Sequence, residues 1–392
     1  VATNVTYAAD WSEYFGHHPA DDSGDVYFHL DPLWSSPAID AIGIDAYWPL
    51  ADWRPGATHL DRIAGARSIY DLAYLKANVF GGEGYDWHYA SDADRRGQVR
   101  TSITDSFGKP WTFRFKDIRN WWLNEHHDRP GGVESGTATA WLPQSKPIWF
   151  TEVGCPAVDL GANQPNVFFD PKSAESALPY FSNGARDDFI QRRYLQAVHE
   201  VFDPAHPDFD PAANPVSASY GGRMVAPDRI TAYTWDARPY PAFPTGGGTW
   251  GDSANWAYGH WLTGRLASAP LAPAIATILA DYGFYDFDVT RVQGIIAGYV
   301  VDRIMSAREA LQPLELSQFI DAFESNGAIH FASRAGSGVA GEITSGDLVE
   351  AKPGAQLIEM TRQQETELPA TAKLSYYAAE SSYRQAIAES RR

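Results

Sequence analysis

The segment Lys146-Pro-Ile-Trp-Phe-Thr-Glu152-Val-Gly-Cys-Pro156 sets a single carboxylate at the end of a short apolar run. Pro147 fixes φ at the start, and Ile148, Trp149, Phe150 and Thr151 are aromatic or β-branched. With no polar alternation in its apolar part, the run predicts a strand buried on both faces. Gly154 and Pro156 then turn it into a loop. In a (β/α) barrel such a strand end is the mouth, where catalytic groups sit.

Three other runs share this grammar. Asn4-Val-Thr-Tyr-Ala-Ala-Asp10 is followed by Trp11, and Ile39-Asp-Ala-Ile-Gly-Ile-Asp45 is followed by Tyr47 and Trp48 before Pro49. Arg229-Ile-Thr-Ala-Tyr-Thr leads to Trp235 and Asp236. Acids and indoles gathered on one rim describe a sugar-binding cleft: hydroxyls pair with carboxylates, and sugar C–H faces lie on aromatic rings. For each Trp taken singly, plain core packing is the alternative.

The intervening stretches supply the scaffold. Asp187 to Phe202 has apolar positions 189, 190, 194, 197, 198 and 201 with acids in its first turn, which predicts an amphipathic helix after the Glu152 strand. Leu60, Ile63, Leu72 and Leu75 fall near helical spacing. Residues 86–136 are polar, aromatic and without period, the pattern of a lid or binding surface. His17, His18, Asp21 and Asp22 lack regular zinc spacing and predict a solvated loop, so no metal or other cofactor is expected. Gly81-Gly-Glu-Gly84 lacks the context of a phosphate cradle. Cys155 is the single cysteine, which excludes an intrachain disulfide and predicts a packed thiol.

The 392 residues are 44% hydrophobic and 20% charged, as in a soluble globular protein, and no run approaches a membrane span. A formal charge of −18 disfavours a grip on phosphate backbones, so nucleic acid is not an expected ligand. Both ends read as cuts in a longer polypeptide.

All fourteen Trp lie at or before Trp261. This composition step predicts a first region over 1–264, a linker over 265–280 marked by Pro270 and Pro273, and a smaller α+β region over 281–392. In that last region Gln293 to Asp302 predicts a strand and Ser306-Ala-Arg-Glu309 a capping box. Leu316, Phe319, Ile320 and Phe323 predict a helical face. Asn326-Gly327 predicts a hairpin turn into Ile329 and Phe331, and Ala372 to Tyr377 a further strand.

Several of these motifs carry a resemblance. Ile42-Gly-Ile-Asp-Ala-Tyr-Trp-Pro49, Trp111-Thr-Phe-Arg-Phe-Lys-Asp-Ile-Arg-Asn-Trp-Trp122, Lys146 to Pro156 and Ile230 to Asp236 resemble the barrel-like domain of the large tail-tip protein of bacterial gene transfer agents. That domain is similar to retaining glycoside hydrolases with an eight-stranded barrel, whose nucleophile ends the seventh strand in a Thr-Glu-x-Gly setting like Thr151-Glu152-Val153-Gly154. Gly298 to Asp302, Ser306 to Leu314, Phe323 to Gly327 with Phe331, and Thr361 to Pro369 resemble the phage tail protein domain of tail-hub and host-specificity proteins.

The resemblance implies the carboxyl-terminal half of a (β/α)8 barrel, its four visible strands being the fifth to the eighth, followed by a tail-hub-like domain. It implies Glu152 as nucleophile, Trp48 and Trp235 lining subsites, and Asp45 and Asp236 binding hydroxyls, with Asp10, Trp11 and Tyr47 on the same rim. The general acid, normally the Glu of an Asn-Glu pair ending the fourth strand, is then expected upstream of Val1. Asn124-Glu125 does not fill that place. Glu125 lies only 27 residues before Glu152, whereas three βα steps need on the order of 30 residues each. Other tail and hub proteins are the partners implied, with a homotrimer by analogy, a cell-envelope glycan as ligand, and assembly in the producing cytoplasm.

Overall fold

A computed structural model describes residues 3–391 apart from 22, 57, 171, 174–175, 239–241, 247, 263–268, 297, 335–340, 351, 353, 359, 361, 363, 365–368 and 379–383. The chain divides into two compact units, Val1–Ala267 and Ser268–Arg392.

The first unit is built on four parallel strands, β1 (Thr6–Asp10), β2 (Ala41–Ala46), β3 (Ile148–Val153) and β4 (Val225–Ala232). They lie side by side in sequence order, each pairing with the next in parallel. Each crossover therefore adds a strand on the same side, as successive units of a (β/α) barrel do. No closed barrel forms among the described residues. The edge continues past β4, where Trp235 pairs in parallel with Leu262.

One face of the sheet carries Ile42, Ile44, Ile148 and Phe150, all buried. Phe150 stands edge-on to Trp48 and Phe202, with ring centroids 5.4 and 5.3 Å apart. Phe202 closes the helix that the periodicity predicts, α3 (Asp188–Phe202), preceded in the chain by α1 (Leu72–Ala77) and α2 (Ile118–Leu123). Asp187 caps α3 through the amides of Phe189 and Ile190, and Tyr194 donates from its buried face to the Trp48 carbonyl at 2.8 Å. On the other face, Trp149, Thr151 and Glu152 are only half-buried, so β3 is not covered on both sides as its composition predicts.

Residues 86–136 also depart from expectation. They fold as a packed layer, with Trp111, Trp121 and Trp122 buried and the Arg129 guanidinium paired to Asp105 at 2.8 Å. Short helices and bound side chains replace periodicity there, and the segment forms a wall. Lys116 in this wall is fully buried and donates to the carbonyls of Pro49 and Asn78 at 2.6 and 2.8 Å.

In the second unit, α4 (Leu271–Asp281) occupies most of the stretch expected to be linker, and buries Leu271, Ile275 and Leu279. Residues 265–268 of that stretch lie outside the described residues. After β5 (Phe287–Arg291), among the described residues only Ile295–Ile296 of the predicted 293–302 strand pairs, with Ala269–Pro270, while Val300 and Val301 are exposed. The Ser306/Glu309 capping box opens α5 (Ala307–Gln318), which buries Ala310, Leu311 and Leu314. Of the predicted helical face, only Leu316 lies in α5, where it is exposed. Phe319 ends the helix in a left-handed conformation, and Ile320 and Phe323 belong to β6 (Ile320–Ser325). Asn326 and Gly327, at φ 52° and 79°, then turn β6 into the antiparallel β7 (Ala328–Ser333), which pairs in parallel with β5. β8 (Thr371–Ala378) pairs antiparallel with β9 (Arg384–Arg391), and the 361–369 motif lies largely outside the described residues.

Burial pushes the Lys116 ammonium down to about 7. Between that value and the ordinary lysine value of about 10.5 the unfolded chain holds a proton that the folded one does not, so stability rises with pH across this window. The thiol of Cys155, raised by burial, acts the other way once unfolded thiols ionise. Urea denaturation from pH 7 to 8.5 is expected to show increasing stability, and Lys116→Met a flatter profile. An unchanged slope in the variant would remove Lys116 as its source.

Candidate functional site

Parallel register puts the strand-end acids abreast. Asp10 pairs with Asp45, and Asp45 pairs with Glu152 across an irregularity in β3 that takes up Thr151. Because side chains alternate along a strand, this register points the acids to the half-open face, opposite Ile44 and Phe150. Gly43 allows the close packing of β1 on β2, since a Cβ there would meet the Tyr7 carbonyl oxygen at 2.4 Å.

Each carboxylate has its own donor. The amide and hydroxyl of Ser12 donate to Asp10, the Thr151 hydroxyl donates to Asp45 Oδ1 at 2.8 Å, and the Tyr47 hydroxyl donates to Glu152 Oε2 at 2.6 Å. Burial raises the Asp45 carboxyl above its ordinary range. The Thr151 hydrogen bond opposes this, and the negative charges of Glu152 and Asp10 add to it. Burial, then the Glu152 hydrogen bond and charge, push the Tyr47 phenol far upward, so it stays a donor. Tyr233 is raised by burial and then by Glu152, and its ring lies edge-on to Tyr47 at 6.3 Å.

Asp10, Asp45, Tyr47 and Glu152 are thus brought together on one rim. The other expected rim residues differ in placement. Trp48 is 1% exposed and packs behind the sheet on Phe150, so it cannot line a subsite; its apolar neighbours won. Trp11 is half-buried, edge-on to Phe115 at 4.7 Å. Trp235 comes after the end of β4 with its side chain 70% exposed. Asp236 is committed to Arg238, whose Nη2 donates at 2.6 Å, and to the Trp261 indole at 3.1 Å; Arg238 holds its carboxyl down to about 2. Glu125 is exposed beyond α2 and belongs to no strand of the sheet.

Sequence reasoning missed Thr151 as a ligand of Asp45, and missed Tyr233 and His260 beside Tyr47. The hydroxyl next to Glu152 was a usable signal for the first; His260 had no local one. The thiol of Cys155 is packed as expected. His18 is half-buried against Phe15 and Phe113, and burial followed by the neighbouring His17 lowers it to about 4; Asp22 lies outside the described residues. Among the described residues no three His, Cys, Asp or Glu side chains are grouped to hold a metal, and no helix is long and apolar enough to cross a membrane.

Residues 1–244 match the GTA TIM-barrel-like domain, the larger part of the chain. The chain belongs to that family. Residues 306–392 match a phage tail protein domain. With both domains present, this is a gene transfer agent tail protein, and so a structural component of the particle. It is similar to a chain in the solved structure described as "Virion of native gene transfer agent (GTA) particle", with 30% identity, 40% of this chain and 36% of that chain covered, and a TM-score of 0.32. The chain thus spans about a third of the length of that relative. No curated protein matches it.

Carbon-detected carboxyl titration tests the electrostatics of this rim. Glu152→Gln removes a like charge and is expected to lower the Asp45 midpoint, whereas Thr151→Val removes a donor to the carboxylate and is expected to raise it. Shifts in the same direction would show that the two side chains do not act on Asp45 as described.

Proposed function

We propose that this gene transfer agent tail protein stands at the tail tip or baseplate and presents its carboxylate rim to glycans of the recipient envelope, aiding attachment or DNA delivery. The observation that carries this reading is the row Asp10, Asp45 and Glu152 on a half-open sheet face, with Tyr47 and Thr151 as donors. Carboxylates accept from sugar hydroxyls, and the exposed Trp235 indole offers a surface for C–H faces. In this proposal residues up to about 264 are the envelope-facing region of a barrel-like domain. The region 281–392 joins the hub, other tail proteins are neighbours, and the assembly is a trimer built in the producing cell.

A second reading follows from Tyr47. A tyrosine hydroxyl on Glu152 orients the carboxylate, as a nucleophile requires. In a retaining glycosidase Glu152 would bond to the anomeric carbon as the leaving oxygen departs with a proton from a second carboxyl group about 5–5.5 Å away. Water would then cleave the glycosyl ester and restore Glu152.

Full-length protein incubated with purified cell-wall and surface glycans, beside its Glu152→Gln variant, separates the readings. Hydrolysis predicts product from the parent and a loss of at least 10²-fold in the variant. Binding by both without product leaves attachment as the function, and equal product from both would remove Glu152 from catalysis. Negative-stain images of particles labelled within 306–392 are expected to show label at the tail tip. Label along the shaft or on the capsid would contradict the baseplate placement.

A further inference from the structure

We propose that His260 is a positioning residue that aims the Tyr47 hydroxyl at Glu152; this rests on the reading of Glu152 as the working carboxylate of the rim. His260 is 5% exposed and held at several points. Its Nε2 lies 2.7 Å from the Pro165 carbonyl oxygen. A carbonyl only accepts, so the imidazole carries its proton on Nε2. Burial lowers its basicity to about 4, which keeps the ring neutral and this tautomer fixed at neutral pH. The backbone is pinned as well: its carbonyl accepts from Gln191 Nε2 at 2.6 Å and from the Thr234 amide at 3.2 Å.

This fixed ring meets the two phenols that Glu152 influences. Tyr47 lies edge-on to it with centroids 5.6 Å apart at 77°, and Tyr233 at 5.9 Å and 64°. Tyr47 and Tyr233 also meet each other edge-on at 88°. Edge contacts of this kind restrict how a ring tilts without taking its hydroxyl. The Tyr47 hydroxyl is thereby left for Glu152 alone among its described contacts. Gly154 permits the assembly, because a Cβ there would meet the Tyr233 carbonyl oxygen at 2.5 Å. Glu152 thus precedes the glycine that admits Tyr233, and α3 supplies Gln191 to the far side of His260. A core histidine with no further role would use the same burial, but its removal would not reach Glu152 through Tyr47.

The test is a double-mutant cycle read on the Glu152 carboxyl by carbon-detected titration of folded protein. Tyr47→Phe removes a donor to the carboxylate and is expected to raise the Glu152 midpoint. His260→Ala is expected to raise it in the same direction, and to add nothing in the Tyr47→Phe background. His260→Gln removes the ring but keeps an N–H for Pro165, and gives the same reading if the alanine variant does not fold. An unmoved midpoint in the single variant, or an equal shift in both backgrounds, overturns the proposal. No glycan enters this measurement. Its failure therefore stays distinct from failure of the glycan reading, which the assay on Glu152→Gln decides.

Discussion

Three carboxylates abreast on neighbouring parallel strands are the constraint around which the first unit is arranged. Strands lie about 4.8 Å apart, and two full charges near that spacing repel by roughly 3 kcal/mol at an effective dielectric of about 20. The fold opposes this repulsion locally, with a separate donor for each acid: Ser12 for Asp10, Thr151 for Asp45 and Tyr47 for Glu152. Burial raises the Asp45 carboxyl, and its acidic neighbours on both sides add to this. An ordinary core would exclude such a row. Its persistence, with donors fixed around it, is what makes the rim a candidate for hydroxyl-rich ligands.

The apolar side of the same strands holds the row in place. Ile44 is buried one position before Asp45, and Phe150 two before Glu152 because of the irregularity at Thr151; α3 packs Phe202 on Phe150 and bonds the Trp48 carbonyl through Tyr194. A slip of one residue would bury the acids and expose Ile44 and Phe150, so the register is tied to the core. The wall formed by residues 86–136 achieves its order differently, by burying polar groups with partners. Arg129 pairs with Asp105, and Asp31 pairs with His126 at 2.9 Å beneath stacked aromatic rings. Removing one member of such a pair strands the other, which is strongly destabilising.

The second unit depends on local signals of another kind. Its small core joins Leu271, Ile275 and Leu279 of α4 to Leu311 and Leu314 of α5 and to Phe331 of β7. The helix starts at a capping box and the β6–β7 turn at Asn326-Gly327, both set by neighbours in sequence. The family matches place a barrel-like domain and a tail domain in one chain, so one polypeptide carries both the acidic rim and a domain of tail architecture.

The sequence by itself determined the four strands of the sheet, the helix after Glu152, the capping box and the hairpin turn. Each is encoded by periodicity or by residues within four positions of one another. It also marked Asp10, Asp45, Tyr47 and Glu152, because a polar group that ends an apolar run is visible in one dimension. Tertiary structure alone decided which face each indole takes. Trp48 went to the core although it follows Asp45 and Tyr47, and Phe323 went to a strand although its spacing is helical. Partners remote in sequence were likewise invisible: Thr151 reaching Asp45, Arg238 drawing off Asp236, and His260 arriving beside Tyr47. Hydrogen bonds and ring contacts of this kind depend on the register and crossovers of the whole sheet, which no local pattern records.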